Sequence, residues 1–217
     1  LIRRLPVDSS LTILQVDIKN AFNSVSRSSI LQQIHTMSPD IYPWINYCYG
    51  QSQLNRFGNN IFQSTSGVQQ GDPLSPLLFS AAIHPIIEQL HSLFPNLSLH
   101  CWYLDDGILA GEPSDLAKAL QFLNREFKRI GLLINNNKCQ IWCPYPQNCD
   151  LTMFSNSIKI MKDGLDVPGS PVSLNEDFIK DFVSYKVKNV TCTFLIFCTT
   201  ITTENFSYLR FGQIIEE

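Results

Sequence analysis

Three acids placed against strand-like text constrain this chain more than any other feature. Asp17 sits near the end of the apolar, partly β-branched run Leu11–Ile18, and Asp105-Asp106 lies between Leu97–Tyr103 and Ile108–Ala110. A carboxylate on an apolar strand is costly to bury without a partner or a cation, and adjacent carboxylates repel each other. Such a chain must place its acids at the ends of strands, and it gains if the strands are neighbours, so that one counter-charge serves all three. Three hard oxygen donors at one point suit Mg²⁺. Read alone, Asp105-Asp106 is equally the text of a solvated turn and Asp17 that of a strand end.

The rest of the text supplies the elements for such a sheet. Leu11–Ile18 reads as a buried strand. Ser26 is placed to cap a helix over Arg27–Met37, with Ile30, Leu31 and Ile34 on one face. A short helix follows Pro39 and stops near Gly50; Leu54–Phe57 and Ile61–Ser64 then read as a hairpin about Gly58-Asn59-Asn60. Pro73 opens a long apolar helix to about Leu93, kinked at Pro85. After the strand–turn–strand around the acid pair, Ser114 or Asp115 is expected to cap a helix that reaches Ile130 and ends at Gly131. Leu132–Ile134 and Gln140–Trp142 read as short strands. This order predicts an α+β fold: four strands in a split βαβ (ferredoxin-like) antiparallel sheet, with helices packed on one face. The text after about Asn175, rich in Thr, Phe, Ile and Cys, reads as strand-like and carries no motif.

Composition sets further bounds. The 217 residues are 44% hydrophobic with a net charge of −3, which excludes a disordered chain. The weak acidity does not by itself point to nucleic acid, whose partners usually present a basic surface. No apolar run approaches a membrane span, and no signal segment precedes Arg3-Arg4, so a membrane or secreted setting is not expected. The start at Leu1 without Met suggests a fragment. Seven cysteines without a CxxC pair read as free thiols in a reducing, intracellular compartment, nuclear or cytoplasmic; zinc at Cys139, Cys143 and Cys149 is the minor alternative.

The motifs give the acids a context. Val16-Asp17-Ile18-Lys19-Asn20-Ala21-Phe22 resembles the first palm motif of reverse transcriptases, and Gln69-Gln70-Gly71-Asp72-Pro73-Leu74-Ser75-Pro76 resembles the second. Tyr103-Leu104-Asp105-Asp106 resembles the third, and Gly131-Leu132-Leu133-Ile134-Asn135 with Lys138 the fourth. Order and spacing agree over roughly residues 11 to 142, and the style is most similar to non-LTR (LINE-like) retrotransposon enzymes. The resemblance implies a polymerase palm catalysing RNA-directed DNA synthesis, with dNTPs and a primer on an RNA or DNA template. It implies two Mg²⁺ ions, with Mn²⁺ as a substitute, on Asp17, Asp105 and Asp106. It also implies nucleotide contacts from the Ile18 carbonyl, Phe22 beneath the sugar, Gln70, Gly71 and Lys138.

There are departures from the pattern. Leu104 stands where Ala is frequent, and Asn20 where several members carry Asp. Val167-Pro168-Gly169-Ser170-Pro171 stands as a degenerate primer grip, and of a fingers segment only Arg3 and Arg4 could remain. The expected division is a fingers or linker remnant at 1–10, palm at 11–145, a degenerate primer-grip region at 146–175, and a tail of unclear structure at 176–217. Two other readings stay open: an inactive remnant that folds or binds nucleic acid, and an RNA-directed RNA polymerase. Tyr103-Leu104 and Phe22 argue against the second. Protein partners are not indicated.

Overall fold

The computed structural model describes residues 9–167 and 169–201, with 190–201 described through their backbone alone. Its centre is a five-stranded sheet in the order β4-β5-β1-β6-β7. These strands are β1 (Thr12–Asp17), β4 (Leu99–Tyr103), β5 (Asp106–Gly111), β6 (Gln140–Trp142) and β7 (Lys159–Met161). Pairing is antiparallel among the first four, whereas β7 runs parallel to β6. The all-antiparallel expectation therefore misses one edge strand. The expected strand Leu132–Ile134 is reduced to a single bridge between Ile18 and Ile134.

Alternation along the strands explains how the sheet is covered. Leu14, Val16, Leu109 and Ile141 point into the main core, beneath α2 (Arg27–Met37), α3 (Tyr42–Tyr49), α4 (Ser75–Leu93) and α5 (Pro113–Arg129). Ile13, Ile108, Ala110 and Trp142 point to the other face and meet Leu165, Val167 and Val172 of a small hairpin. That hairpin is β8 (Leu165–Val167) with β9 (Ser170–Val172). The helices thus lie on one face, and the opposite face is covered over only part of its area.

Local chemistry sets most boundaries. Ser26 caps α2 as expected, accepting from the Ser29 amide. The hairpin of β2 (Gln53–Phe57) and β3 (Asn60–Ser64) forms where the turn residues place it. α5 begins two to three residues earlier than expected, with Glu112 rather than Ser114 or Asp115 in the cap position and Pro113 in its first turn, because proline's fixed φ suits a helix start. The tail departs most: 176–201 is helical, α6 (Glu176–Ile201), rather than extended. The Asn175 side chain accepts from the Asp177 and Phe178 amides, and Glu176 and Asp177 lie in the first turn, where the helix dipole favours negative charge. The tail beyond 201 and Arg3-Arg4 lie outside the described residues.

Gly107 illustrates how tightly the sheet and helices fit. It pairs with Trp102 across β4 and β5, and a Cβ at residue 107 would stand 2.5 Å from the indole ring. Trp102 in turn meets Phe127 of α5 edge to face, with centroids 5.7 Å apart. Gly107→Ala is expected to lower stability by about 1–3 kcal/mol through overpacking. Urea unfolding checks this, and Gly107→Ala with Trp102→Leu should cost less than the two changes summed.

Candidate active site

The acids come together through strand register. Asp17 is the cross-strand partner of Asp106 in the β1–β5 ladder, and Tyr103 partners Asp106 in the β4–β5 ladder. Asp17 shares its face with Ile13, and Asp106 with Ile108 and Ala110, so both carboxylates lie on the face opposite the main helices. Asp105 occupies the two-residue turn between Tyr103 and Asp106. Burial raises the Asp106 pKa above the ordinary carboxylate range, and the negative charges of Asp105 and Asp17 raise it further. Carboxylates under such mutual repulsion are hard oxygen donors, the chemistry that a divalent cation favours. Among the described residues, no group of three or more His, Cys, Asp or Glu side chains is gathered so that it could hold a metal ion.

Leu104, the first turn residue, has φ 56°, a left-handed conformation that costs a branched residue on the order of 1–2 kcal/mol. Asn20, at φ 48°, is the other non-glycine residue in that region among the described residues, and Asn tolerates it well. The departure from Asp at that position thus costs the backbone nothing. Ile18 is buried; around it the Asn135 amide donates to the Asp17 carbonyl and the Lys19 amide to the Leu133 carbonyl. By the alternation of such pairs, Ile18 turns its own carbonyl away from this segment, toward the β5 side. Lys138 is exposed, in the turn whose first amide is tied to Asp17.

Phe22 lies on α1 (Ala21–Ser24) and stacks on Phe79 of α4, with centroids 4.9 Å apart and planes 12° from parallel. The Val68 amide donates to the Phe22 carbonyl and the Gly67 amide to the Val25 carbonyl, which draws the loop of the second motif against α1. Phe22, Gln70, Gly71, Asp72, Pro73 and Ser75 consequently line one cleft of about 430 Å³. Gly71 has φ +91°, and a Cβ there would meet open space. Its backbone needs glycine, and the space beside it is free for a ligand. Phe22, Gln70 and Gly71 are thus brought together, whereas Asp17, Asp105 and Asp106 do not line this cleft.

The sequence profile of the reverse transcriptase (RNA-dependent DNA polymerase) family matches residues 6–209. The chain belongs to the reverse transcriptase family. It is 28% identical over 138 residues to the retrotransposable element SLACS 132 kDa protein of Trypanosoma brucei gambiense, covering 60% of this chain and 12% of that protein. It is 26% identical over 152 residues to the Pol polyprotein from the type-1 retrotransposable element R2 of Popillia japonica, covering 64% of this chain and 25% of that one. These relatives are non-LTR retrotransposon proteins, and the chain spans a quarter or less of their length. Among solved structures, apo telomerase from Candida tropicalis superposes with a TM-score of 0.57 at 12% identity, covering 79% of this chain and 32% of that one. Candida albicans telomerase in complex with a TWJ fragment of telomeric RNA gives 0.56 at 13%, covering 76% and 29%. At such identities the likeness concerns the fold alone.

The motifs do not reveal a buried network that lies behind the second of them. Arg27, only 7% exposed, gives its guanidinium to the Gly67 carbonyl at 3.0 Å, the Ser64 carbonyl at 2.7 Å and Ser64 Oγ at 2.8 Å, and it lies over the Tyr49 ring. The Tyr49 hydroxyl donates to Asp72, whose other oxygen accepts the Leu74 amide at 2.9 Å. The signal was present: Arg27, Ile30 and Ile34 fall on one helical stripe, so the arginine had to face inward.

The cysteines also need correction. Cys143 and Cys149 form a disulfide, which corrects the reading of all seven cysteines as free thiols; among the described residues, Cys48, Cys101 and Cys139 stand outside any disulfide. Zinc on Cys139, Cys143 and Cys149 is thereby removed, since two of its three sulfurs are bonded to each other. Six residues of separation and a return of the chain at the 3-10 turn Pro146–Asn148 bring them together. Cys139 is buried, and its sulfur accepts the Asp17 amide at 3.5 Å.

Two outcomes are expected. A carboxyl with a raised folded-state pKa costs stability as pH rises from the unfolded value, about 4, through the folded one. Asp106→Asn should therefore raise the melting temperature at pH 7 without divalent ions and flatten the decline above pH 4, measured by thermal unfolding across pH. Arg27→Met leaves buried carbonyls unpaired and should cost about 1–3 kcal/mol in urea unfolding.

Proposed function

We propose that this chain is the catalytic palm segment of an RNA-directed DNA polymerase of a non-LTR retroelement. The observation that carries the proposal is the β1–β5 register, which sets Asp17 opposite Asp106 on the open face of the sheet. On this reading β4-β5-β1-β6 is the split βαβ sheet of a polymerase palm, and β8–β9 stands beside its open face where a primer would be gripped. Asp17, Asp105 and Asp106, with the Ile18 carbonyl, would hold two Mg²⁺ or Mn²⁺ ions, which supply charge to lower the pKa of a primer 3′-hydroxyl and to offset a departing pyrophosphate. The reaction is in-line attack of that hydroxyl on the α-phosphate of a dNTP, directed by an RNA or DNA template. Lys138 would approach the triphosphate. Phe22, with Gln70 and Gly71, bounds the nucleotide.

The stack of Phe22 on Phe79 supports a steric role. A ring held by a buried partner cannot swing aside for a 2′-hydroxyl, and a displaced, unpaired hydroxyl costs about 1–3 kcal/mol. No helix among the described residues is long and apolar enough to cross a membrane, and a nuclear or cytoplasmic setting follows from the nucleic-acid substrate. The competing reading is a non-catalytic remnant that folds or binds nucleic acid.

Primer extension separates the two in a longer form of the protein that contains this chain. Asp105→Asn should abolish extension, and Phe22→Val should shift the dNTP-to-rNTP ratio of kcat/KM toward unity by about 10-fold or more, chiefly through faster rNTP use. Wild-type protein that does not extend sinks the catalytic reading. An unchanged ratio with a lowered melting temperature assigns Phe22 to packing alone. The 217-residue chain by itself is expected to extend primers poorly, because positioning outside the palm contributes to rate.

A further inference from the structure

On the helix side of the sheet, away from the acids, three of the chain's four histidines line one cleft. His91 Nδ1 of α4 stands 2.8 Å from His100 Nε2 of β4, and the two ring centroids are 4.8 Å apart. His84, about two turns before His91 on α4, meets Glu88 at 3.3 Å. With Ile87 and Ser92 these four side chains line about 450 Å³. His100 shares its face of β4 with Trp102, which packs against the main core, whereas Tyr103 and its partner Asp106 belong to the opposite face.

This cleft suits a cation. Its described lining holds Glu88 and no lysine or arginine. His91 lies in the last turn of α4, a helix of 19 residues, where the negative end of the helix dipole favours positive charge. Burial, and then the nearby His91, hold the His100 pKa below its ordinary value, which keeps its imidazole neutral. A metal ion can take the place of the proton shared by the two rings. That proton moves to the far nitrogen of its own ring, and each imidazole then offers one lone pair. Two nitrogens about 2.0–2.1 Å from one ion, and at right angles about it, stand about 2.9 Å apart; at the tetrahedral angle they stand about 3.3 Å apart. The 2.8 Å between His91 and His100 is close to the first arrangement, the one that Cu²⁺ and Ni²⁺ prefer. No three His, Cys, Asp or Glu side chains among the described residues are gathered so that they could hold an ion, so such a site takes two ligands from the protein and the rest from water.

We propose that His91 and His100 form a two-histidine site for a divalent transition ion, Cu²⁺ ahead of Ni²⁺ and Zn²⁺, with water completing the coordination and Glu88 adding negative charge beside it. Mg²⁺ takes oxygen ligands and does not compete there. The site is separate from the acids and does not depend on the polymerase reading. A bound ion ties the end of α4 to β4, the edge strand that leads into Tyr103-Leu104-Asp105-Asp106.

The test is isothermal titration calorimetry of the 217-residue chain with Cu²⁺, Ni²⁺ and Zn²⁺ in turn. Mg²⁺ is present in excess to occupy carboxylates, and thiols are capped with N-ethylmaleimide because copper also takes thiolates. Cu²⁺ should bind most tightly, and its electron paramagnetic resonance spectrum should show two imidazole nitrogens. The ion should also raise the melting temperature, because it binds the folded chain. Two ligands held on one frame act as a chelate, so His91→Ala and His100→Ala should each weaken Cu²⁺ binding by about 100-fold and remove the gain in melting temperature. Folding is checked by circular dichroism, and His91→Gln, which keeps a hydrogen-bonding side chain, serves where alanine does not fold. His84→Ala should leave binding unchanged. Absence of saturable Cu²⁺ binding below about 1 mM overturns the proposal. So does a spectrum without two imidazole nitrogens, tighter binding of Zn²⁺ than of Cu²⁺, or a loss from His84→Ala equal to that from His91→Ala.

Discussion

The site depends on one ladder of backbone hydrogen bonds, that between β1 and β5. Side chains alternate between the faces of a strand, so register decides which residues meet. With Thr12 opposite Gly111, the ladder runs out with Asp17 opposite Asp106. A slip of one residue would send Asp17 into the packed core and an apolar neighbour to the open face. Both faces resist it. Leu14, Val16 and Leu109 are fully buried beneath the helices, and Ile13 and Ala110 are buried under the β8–β9 hairpin. The apolar core thus acts as the alignment device for charges that contribute nothing favourable to it. The raised Asp106 pKa and the left-handed Leu104 are local costs that this alignment sustains.

A second constraint positions everything between the first and second motifs. α1 is a single short turn, and its place is fixed by bonds to Gly67 and Val68 rather than by its own length. Those residues are held in turn by Arg27, and the loop beyond them by the Tyr49–Asp72 contact. The cleft lined by Phe22 and Gln70 follows from this arrangement. An apolar residue at 27 would pack as well but could not fasten three backbone or hydroxyl oxygens at once, which is the use of a planar guanidinium.

Much of this was readable in the amino-acid order, and the misses have physical causes. The Ser26 cap, the Gly58–Asn60 hairpin and the Asp105 turn are short-range chemistry, and each stands where its residues place it. The parallel pairing of β7 on β6 is long-range, and three-residue strands leave too little periodicity to announce it. The tail reads as extended on its β-branched residues, whereas the Asn175 cap and the acids of the first turn favour the helix it forms. The Cys143–Cys149 bond is not legible in the sequence, because spacing without a CxxC pattern does not reveal a chain reversal.

The sequence by itself determined which groups were available: carboxylates at strand ends, an aromatic residue five positions after the first acid, a glycine before Asp72-Pro73, and an arginine on an inward helical stripe. Motif order was enough to indicate the family, because covalent spacing along the chain is the information a sequence holds. Tertiary structure alone decided that Asp17 faces Asp106, that Phe22 rests on Phe79, and that Arg27 fastens the segment ahead of the second motif. Each of these joins residues that are distant along the chain. Their meeting is set by sheet register and core packing, which are cooperative properties of the whole fold and are written in no single segment.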